Sequence, residues 1–141
     1  TVVAAGDVKV TALRNHHPPI TESFALKFEF PGKTVVFSGD TAYFPPLAAF
    51  AKGADILVHE VYPSTRVARE ERPGGDDWPA YLRAFHTSAE DLGALAEKAH
   101  PKLLVLYHQR PDGPVVERAY ARLRQLYAGP FVVARDMDVY R

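Results

Sequence analysis

The chain has 141 residues, long enough for one domain with a substantial core. Hydrophobic residues make up 47% and charged residues 24%, with Lys+Arg and Asp+Glu equal at 17 each, so no bulk attraction to nucleic acid or to a membrane surface is expected. There are no cysteines, which excludes disulfides and thiolate metal sites and leaves imidazole and carboxylate as the only strong metal donors. No apolar run approaches the roughly 18 residues of a membrane span. No signal peptide is visible, and a cytoplasmic setting is the expectation. The chain opens on Thr1 rather than Met, which points to sequence removed or not included upstream.

Taken in order, residues 8–13 alternate and predict a strand. Asn15-His16-His17-Pro18-Pro19-Ile20 reads as a rigid irregular loop, because the residue before a proline is kept out of the α region. Ser23 to Phe30 alternates again, with Phe24, Leu26, Phe28 and Phe30 on one face. Pro31-Gly32-Lys33 is turn chemistry, so this strand and Thr34–Ser38 should form a hairpin. Residues 45–53 predict a short helix, with prolines in the first turn and Gly53 as its stop. A strand follows over 55–58. Residues 63–78 are polar and rich in Pro, Gly and Arg, a long surface loop of the kind that borders a site. Arg66, Arg69 and Arg72 within it sit among Glu70 and Glu71, which favours a solvated loop over a basic patch. Residues 78–85 predict a helical turn or two. Thr87 with Glu90 three residues on has the form of a capping box. It opens a helix with Leu92, Leu95, Ala96 and Ala99 on one face. A strand over 102–107, a helix over 115–127, a strand over 131–134 and a short Val139-Tyr140 segment complete the chain. This order predicts a single α/β domain over 1–141, a mixed sheet with helices on one face.

Three apolar strands end on residues that bind metals. Val35-Val36-Phe37 runs through Ser38-Gly39 into Asp40, Ile56-Leu57-Val58 into His59-Glu60, and Leu103 to Tyr107 into His108. Ligands of open α/β sheets sit at that strand edge. His17, Asp40 and His108 are therefore metal-ligand candidates. Such donors suit zinc, iron or manganese, and a carboxylate can bridge two ions. Each has a plainer reading beside it: Asp40 as a turn residue, His108 as a solvent-facing strand end, and either His16 or His17 as a bystander. His86 stands before a helix N-terminus, where the dipole favours a neutral imidazole suited to proton transfer, or it is an ordinary loop residue. Glu60 can hold an imidazole in one tautomer, and His59 is a candidate supporting hydrogen-bond partner. His100, before Pro101 at a helix end, reads as a favourable cation at the C-terminal dipole.

Phe37-Ser38-Gly39-Asp40-Thr41, Val58-His59-Glu60, His86-Thr87-Ser88 and Leu106-Tyr107-His108, in this order and after the upstream His17-Pro18-Pro19-Ile20, resemble the second half of a metallo-β-lactamase-fold hydrolase. The branch is that of tRNA 3′-processing endonuclease Z and its arylsulfatase and phosphodiesterase relatives. The resemblance implies half of an αββα sandwich and hydrolysis of a phosphodiester, ester or sulfate ester by a hydroxide that two divalent ions activate, zinc in most members and manganese or iron in some. It implies His17 and His108 as terminal ligands of the two ions and Asp40 as their bridge. His86 would give a proton to the leaving group, Glu60 would orient it, and His59 and Thr41 would support the site.

The family's His-x-His-x-Asp-His cluster has no counterpart here; the only adjacent histidines are His16 and His17. Three protein ligands shared over two ions fall short of what zinc normally takes. The chain alone should then bind metal weakly and catalyse poorly, with the remaining ligands on a missing N-terminal half. Its inner sheet face would be bare, and either that half or a second copy would cover it. A small ester or phosphodiester is the implied substrate. The competing reading is a non-catalytic module that pairs through its sheet. RNA binding by the 63–78 loop is a third, which the balanced charge disfavours.

Overall fold

The computed structural model describes residues 2–62, 77–108 and 113–140. The loop expected at 63–78 falls almost wholly outside these, as do Arg66, Arg69 and Arg72. Seven strands form one sheet in chain order: β1 (Val3–Ala5), β2 (Val8–Arg14), β3 (Phe24–Phe30), β4 (Lys33–Phe37), β5 (Ile56–Glu60), β6 (Leu103–Tyr107) and β7 (Phe131–Val133). Pairing is antiparallel from β1 to β4 and parallel from β4 to β7. Four helices are interleaved: α1 (Pro46–Phe50), α2 (Trp78–Phe85), α3 (Ala89–Ala99) and α4 (Gly113–Leu126). The mixed α/β architecture is therefore the one the sequence predicts. Among the described residues no helix is long and apolar enough to cross a membrane.

The two sheet faces differ. Ala25, Val36, Leu57, Leu104 and Leu106 share one face and are fully buried against Leu47, Leu92, Leu95, Ala96, Ala99 and Leu123 of the helices. Leucine and alanine at helical spacing let α3 lie flat on the strands. Gly93 lets α4 approach closely, since a Cβ there would stand 2.8 Å from Leu126 Cβ. The opposite face follows from the strand registers: Val10, Ala12, Leu26, Phe28, Val35, Phe37, Ile56, Val58, Leu103, Val105 and Val132. These positions are all apolar, Arg14 and Lys33 flank them opposite Phe24 and Phe30, and Phe24, Phe30 and Phe37 at the antiparallel end are exposed.

Several boundaries differ from the sequence expectations, each for a local reason. Strand β1 was not expected: its residues are exposed and carry no alternation, so backbone pairing with Val8–Val10 is what holds it. Strand β5 continues through His59 and Glu60, which pair with Leu106 and Tyr107. The last helix begins at Gly113, two residues early, and Val139-Tyr140 forms no strand. The cap of α3 is Ser88 rather than Thr87: Ser88 Oγ accepts the Asp91 N–H at 3.1 Å and donates to Asp91 Oδ2 at 2.8 Å. The capping register therefore slides by one residue, to Ser88 with Asp91. His100 closes α3 in the left-handed region, φ 47°, its N–H donating to Ala96 O.

Candidate functional site

Asp40 is delivered by a turn that only glycine permits. Gly39 has φ +62°, and a Cβ there would stand 2.7 Å from the Phe24 carbonyl oxygen. Asn15 Nδ2 donates to Ser38 O at 2.8 Å and to Asp40 O at 3.2 Å, and Ser23 Oγ donates to Asp40 O. The β2–β3 connection thus ties down the backbone of the turn. The Asp40 carboxylate remains 39% exposed at the rim.

The same connection settles the placement of the adjacent histidines. His16 is exposed, and its backbone laces to the next strand end: its N–H donates to Thr41 Oγ1 at 3.2 Å and its carbonyl accepts the Ala42 N–H at 2.8 Å. The ring of His17 turns inward, 5.7 Å from the rings of Phe85 and His86, and its Nδ1 is buried with no hydrogen-bond partner among the described residues. His108 ends β6 in the left-handed region, φ 53°. Its Nε2 lies 3.4 Å from Asp40 Oδ2, and its ring is 5.6 Å from that of His86. His17, Asp40, His86 and His108 therefore meet at one rim, from four separate parts of the sequence.

Glu60 stands behind His86. Its Oε2 is 2.7 Å from His86 Nδ1, and its Oε1 accepts the Thr41 N–H at 2.6 Å. Burial pushes the Glu60 carboxyl above the ordinary range, while His86 and the Thr41 N–H pull the other way. Thr41 is fully buried; its hydroxyl donates to Ala42 O at 2.8 Å and its carbonyl accepts from Thr87 Oγ1 at 2.7 Å. Tyr107, beside Glu60 in the sheet, has its phenol pushed up to about 12, first by burial and then by the nearby Asp40 charge.

His59 is placed differently. Strand alternation turns it to the helix-covered face, where it is fully buried. Its Nδ1 pairs with the Glu60 carbonyl at 2.7 Å, and its Nε2 has no partner among the described residues. Burial lowers its pKa to about 4, so it is a neutral core histidine at neutral pH. Its tie to the site is that single bond to the Glu60 backbone.

For a divalent ion the donor chemistry is right and the donor number is not. Imidazole and carboxylate converge at the rim, and His17 offers a buried nitrogen that has no partner among the described residues. Yet among the described residues no three His, Asp or Glu side chains are grouped closely enough to hold a metal ion. The described residues do not close a metal site by themselves. Two residues have site roles that the sequence does not signal. Asn15, next to the histidine pair, fixes the Asp40 turn, and Thr87, which reads as a cap, reaches the Thr41 carbonyl instead; each of these partners is 23 or more residues away.

A family model described as a β-lactamase superfamily domain matches residues 1–109. The ribonuclease Z of Thermococcus onnurineus is 35% identical over 108 residues, which is 77% of this chain and 30% of that protein. The ribonuclease Z of Mycobacterium tuberculosis is 29% identical over 132 residues, 92% of this chain and 47% of that protein. The chain thus spans about a third to a half of these relatives. Among solved structures, the metallo-β-lactamase fold protein YhfI of Bacillus subtilis superimposes with a TM-score of 0.72 at 22% identity, over 94% of this chain and 49% of that one. The short form of human tRNase Z gives 0.65 at 19% identity, over 99% and 44%. These two likenesses speak to the fold.

Proposed function

The chain belongs to the β-lactamase superfamily, in its metallo-β-lactamase-fold, ribonuclease Z-like part, and from that premise we propose that it contributes one half of the active site of a metal-dependent hydrolase acting on phosphodiester, ester or sulfate ester bonds. The observation that carries this is the buried Glu60–His86 pair standing at the rim that His17, Asp40 and His108 share. In this reading His17, Asp40 and His108 are the residues of this chain that would hold the metal. Two divalent ions held there, zinc or else manganese or iron, would supply Lewis acidity.

The remaining work falls to the chain's own side chains. Glu60 accepts the His86 Nδ1 proton, which fixes the tautomer and makes Nε2 the nitrogen that exchanges protons. A protonated His86 next to a carboxylate can give that proton to a leaving oxygen and then recover it from water. The pair is 10% and 2% exposed, for His86 and Glu60, so water competes little for their hydrogen bond. Thr41 holds Glu60 from the other side and so keeps it from following the imidazole.

The apolar sheet face supports a partner. We take it to be covered by a second α/β half, which also brings the missing metal donors, either within the same polypeptide or from another copy. A non-catalytic module pairing through this face is the second reading, favoured by the absence of a three-donor group among the described residues. Nucleic acid is a third substrate class, and nothing on the described surface singles it out. The experiment is turnover of a bis-aryl phosphodiester and of an aryl ester, titrated with zinc and manganese, in the longest polypeptide that contains this chain. Metal-dependent turnover that Asp40→Ala removes supports the hydrolase; no turnover with either metal leaves the pairing module.

A further inference from the structure

We propose that Thr87 is a positioning residue, which aims His86 by anchoring the start of α3 to the Asp40 turn through the Thr41 carbonyl. The inference rests on the reading of His86 as the group that moves a proton. It comes from a closed circuit of hydrogen bonds. The Thr41 N–H donates to Glu60 Oε1 at 2.6 Å; Glu60 Oε2 takes His86 Nδ1 at 2.7 Å; the peptide bond leads from His86 to Thr87; and Thr87 Oγ1 donates back to Thr41 O at 2.7 Å. Thr41 and Thr87 are fully buried and Glu60 nearly so.

A threonine at the start of a helix ordinarily spends its hydroxyl on a cap. Thr87 does not, because Ser88 takes that duty. Its hydroxyl instead satisfies a buried carbonyl 46 residues away. The Thr87 main chain is held as well: its carbonyl accepts the Tyr62 N–H at 3.0 Å, and the Ala89 N–H donates to Tyr62 O at 3.2 Å. His86 itself is extended, φ −131° and ψ 166°, and its own N–H donates to Leu82 O at 2.9 Å, so its ring is carried between that bond on one side and the Thr87 anchor on the other.

The circuit has a consequence for spacing. The Thr41 N–H belongs to the same peptide unit as the Asp40 carbonyl. Asp40 and His86 are therefore tied to one another through Thr41, Glu60 and Thr87, and not merely packed nearby. Removing the Thr87 hydroxyl opens the circuit at its link between the start of α3 and the Asp40 turn. Glu60 then still attracts His86, and the backbone that carries His86 keeps its bonds to Leu82 and Tyr62 but loses its tie to the Asp40 turn.

The test is made on the full 141-residue chain labelled with 15N-histidine. The readout is the downfield proton of the His86 Nδ1–H to Glu60 bond, assigned by its loss in His86→Gln. In Thr87→Val this proton should shift upfield and exchange with water about tenfold faster or more, as expected for loss of one buried hydrogen bond. Thr87→Ser should restore both the shift and the slow exchange. A folded Thr87→Val chain with an unchanged resonance and exchange rate overturns the proposal. If Thr87→Val does not fold, Thr87→Ala removes the same bond without pressing a methyl on the Thr41 carbonyl, and the same criterion applies to it. The measurement needs neither metal nor turnover. Failure of the hydrolase reading would leave the resonance behaviour standing, whereas a hydrolase with an indifferent resonance would have lost Thr87 alone.

Discussion

Glu60 grips His86 from inside the protein: Oε2 lies 2.7 Å from Nδ1, and 2% of the Glu60 side chain is open to solvent. Glu60→Gln keeps the shape and removes the charge that favours a protonated imidazole. In the longest polypeptide containing this chain, kcat for a bis-aryl phosphodiester should fall by about a hundredfold or more, the usual scale of acid–base contributions. KM should change little, and the acidic or basic limb of the pH profile assigned to His86 should move to lower pH. Unchanged kcat would remove Glu60 from the site.

His59 makes stability depend on pH. Its folded pKa of about 4 lies below the unfolded value of 6.5, so the unfolded chain binds the proton more readily. Stability is then full above pH 6.5 and is lost as pH falls toward 4. At pH 5 the loss should be about 2 kcal/mol, at 1.36 kcal/mol for each unit of difference. Urea unfolding at pH 7.5 and pH 5 measures it. His59→Leu should flatten the difference between the two pH values, and an equal slope in both proteins would contradict the burial account.

Gly39→Ala should disturb both fold and site. The left-handed backbone alone costs about 1–2 kcal/mol for a residue with a Cβ, and the new methyl would stand 2.7 Å from the Phe24 carbonyl oxygen. Thermal unfolding should show a lowered midpoint. The same substitution at Gly32, which has φ +74° and open space around it, should cost only the backbone share.

The bare sheet face should make the chain associate. Phe37 is 40% exposed on it, with its ring edge-on to Phe28 at 5.8 Å. Sedimentation should find the isolated chain above its 15.6 kDa monomer mass. Phe37→Glu should return it to monomer while changing stability by no more than about 1 kcal/mol. A wild-type chain that stays monomeric at all concentrations would argue against a partner on this face.

The strands, the covering helices and the strand-end donors were legible because each writes a local pattern: alternation, an i to i+4 apolar stripe, an apolar run broken by Gly-Asp. The alternation of Phe24, Leu26, Phe28 and Phe30 alone marks the uncovered face. What stayed hidden depends on distant partners. Thr87 with Glu90 has the capping form in sequence, yet the carbonyl of Thr41 takes the Thr87 hydroxyl and the cap falls to Ser88. His59 and Glu60 are neighbours on one strand, yet the pleat sends one into the core and the other to the site. Strand β1 carries no hydrophobic pattern, because it is an exposed edge held by backbone bonds. His16 and His17 looked alike until the loop packed against α2.

The most direct measurement is a titration of the chain with manganese, followed by broadening of its six histidine side-chain signals in NMR spectra. The paramagnetic ion erases signals of nuclei close to it. His17 and His108 should broaden first and His86 next, while His100 at the far end of α3 stays sharp, and Asp40→Ala should abolish the selectivity. Broadening spread evenly over all six, or confined to residues other than His17 and His108, would contradict the assignment of this rim as the place where the ions sit.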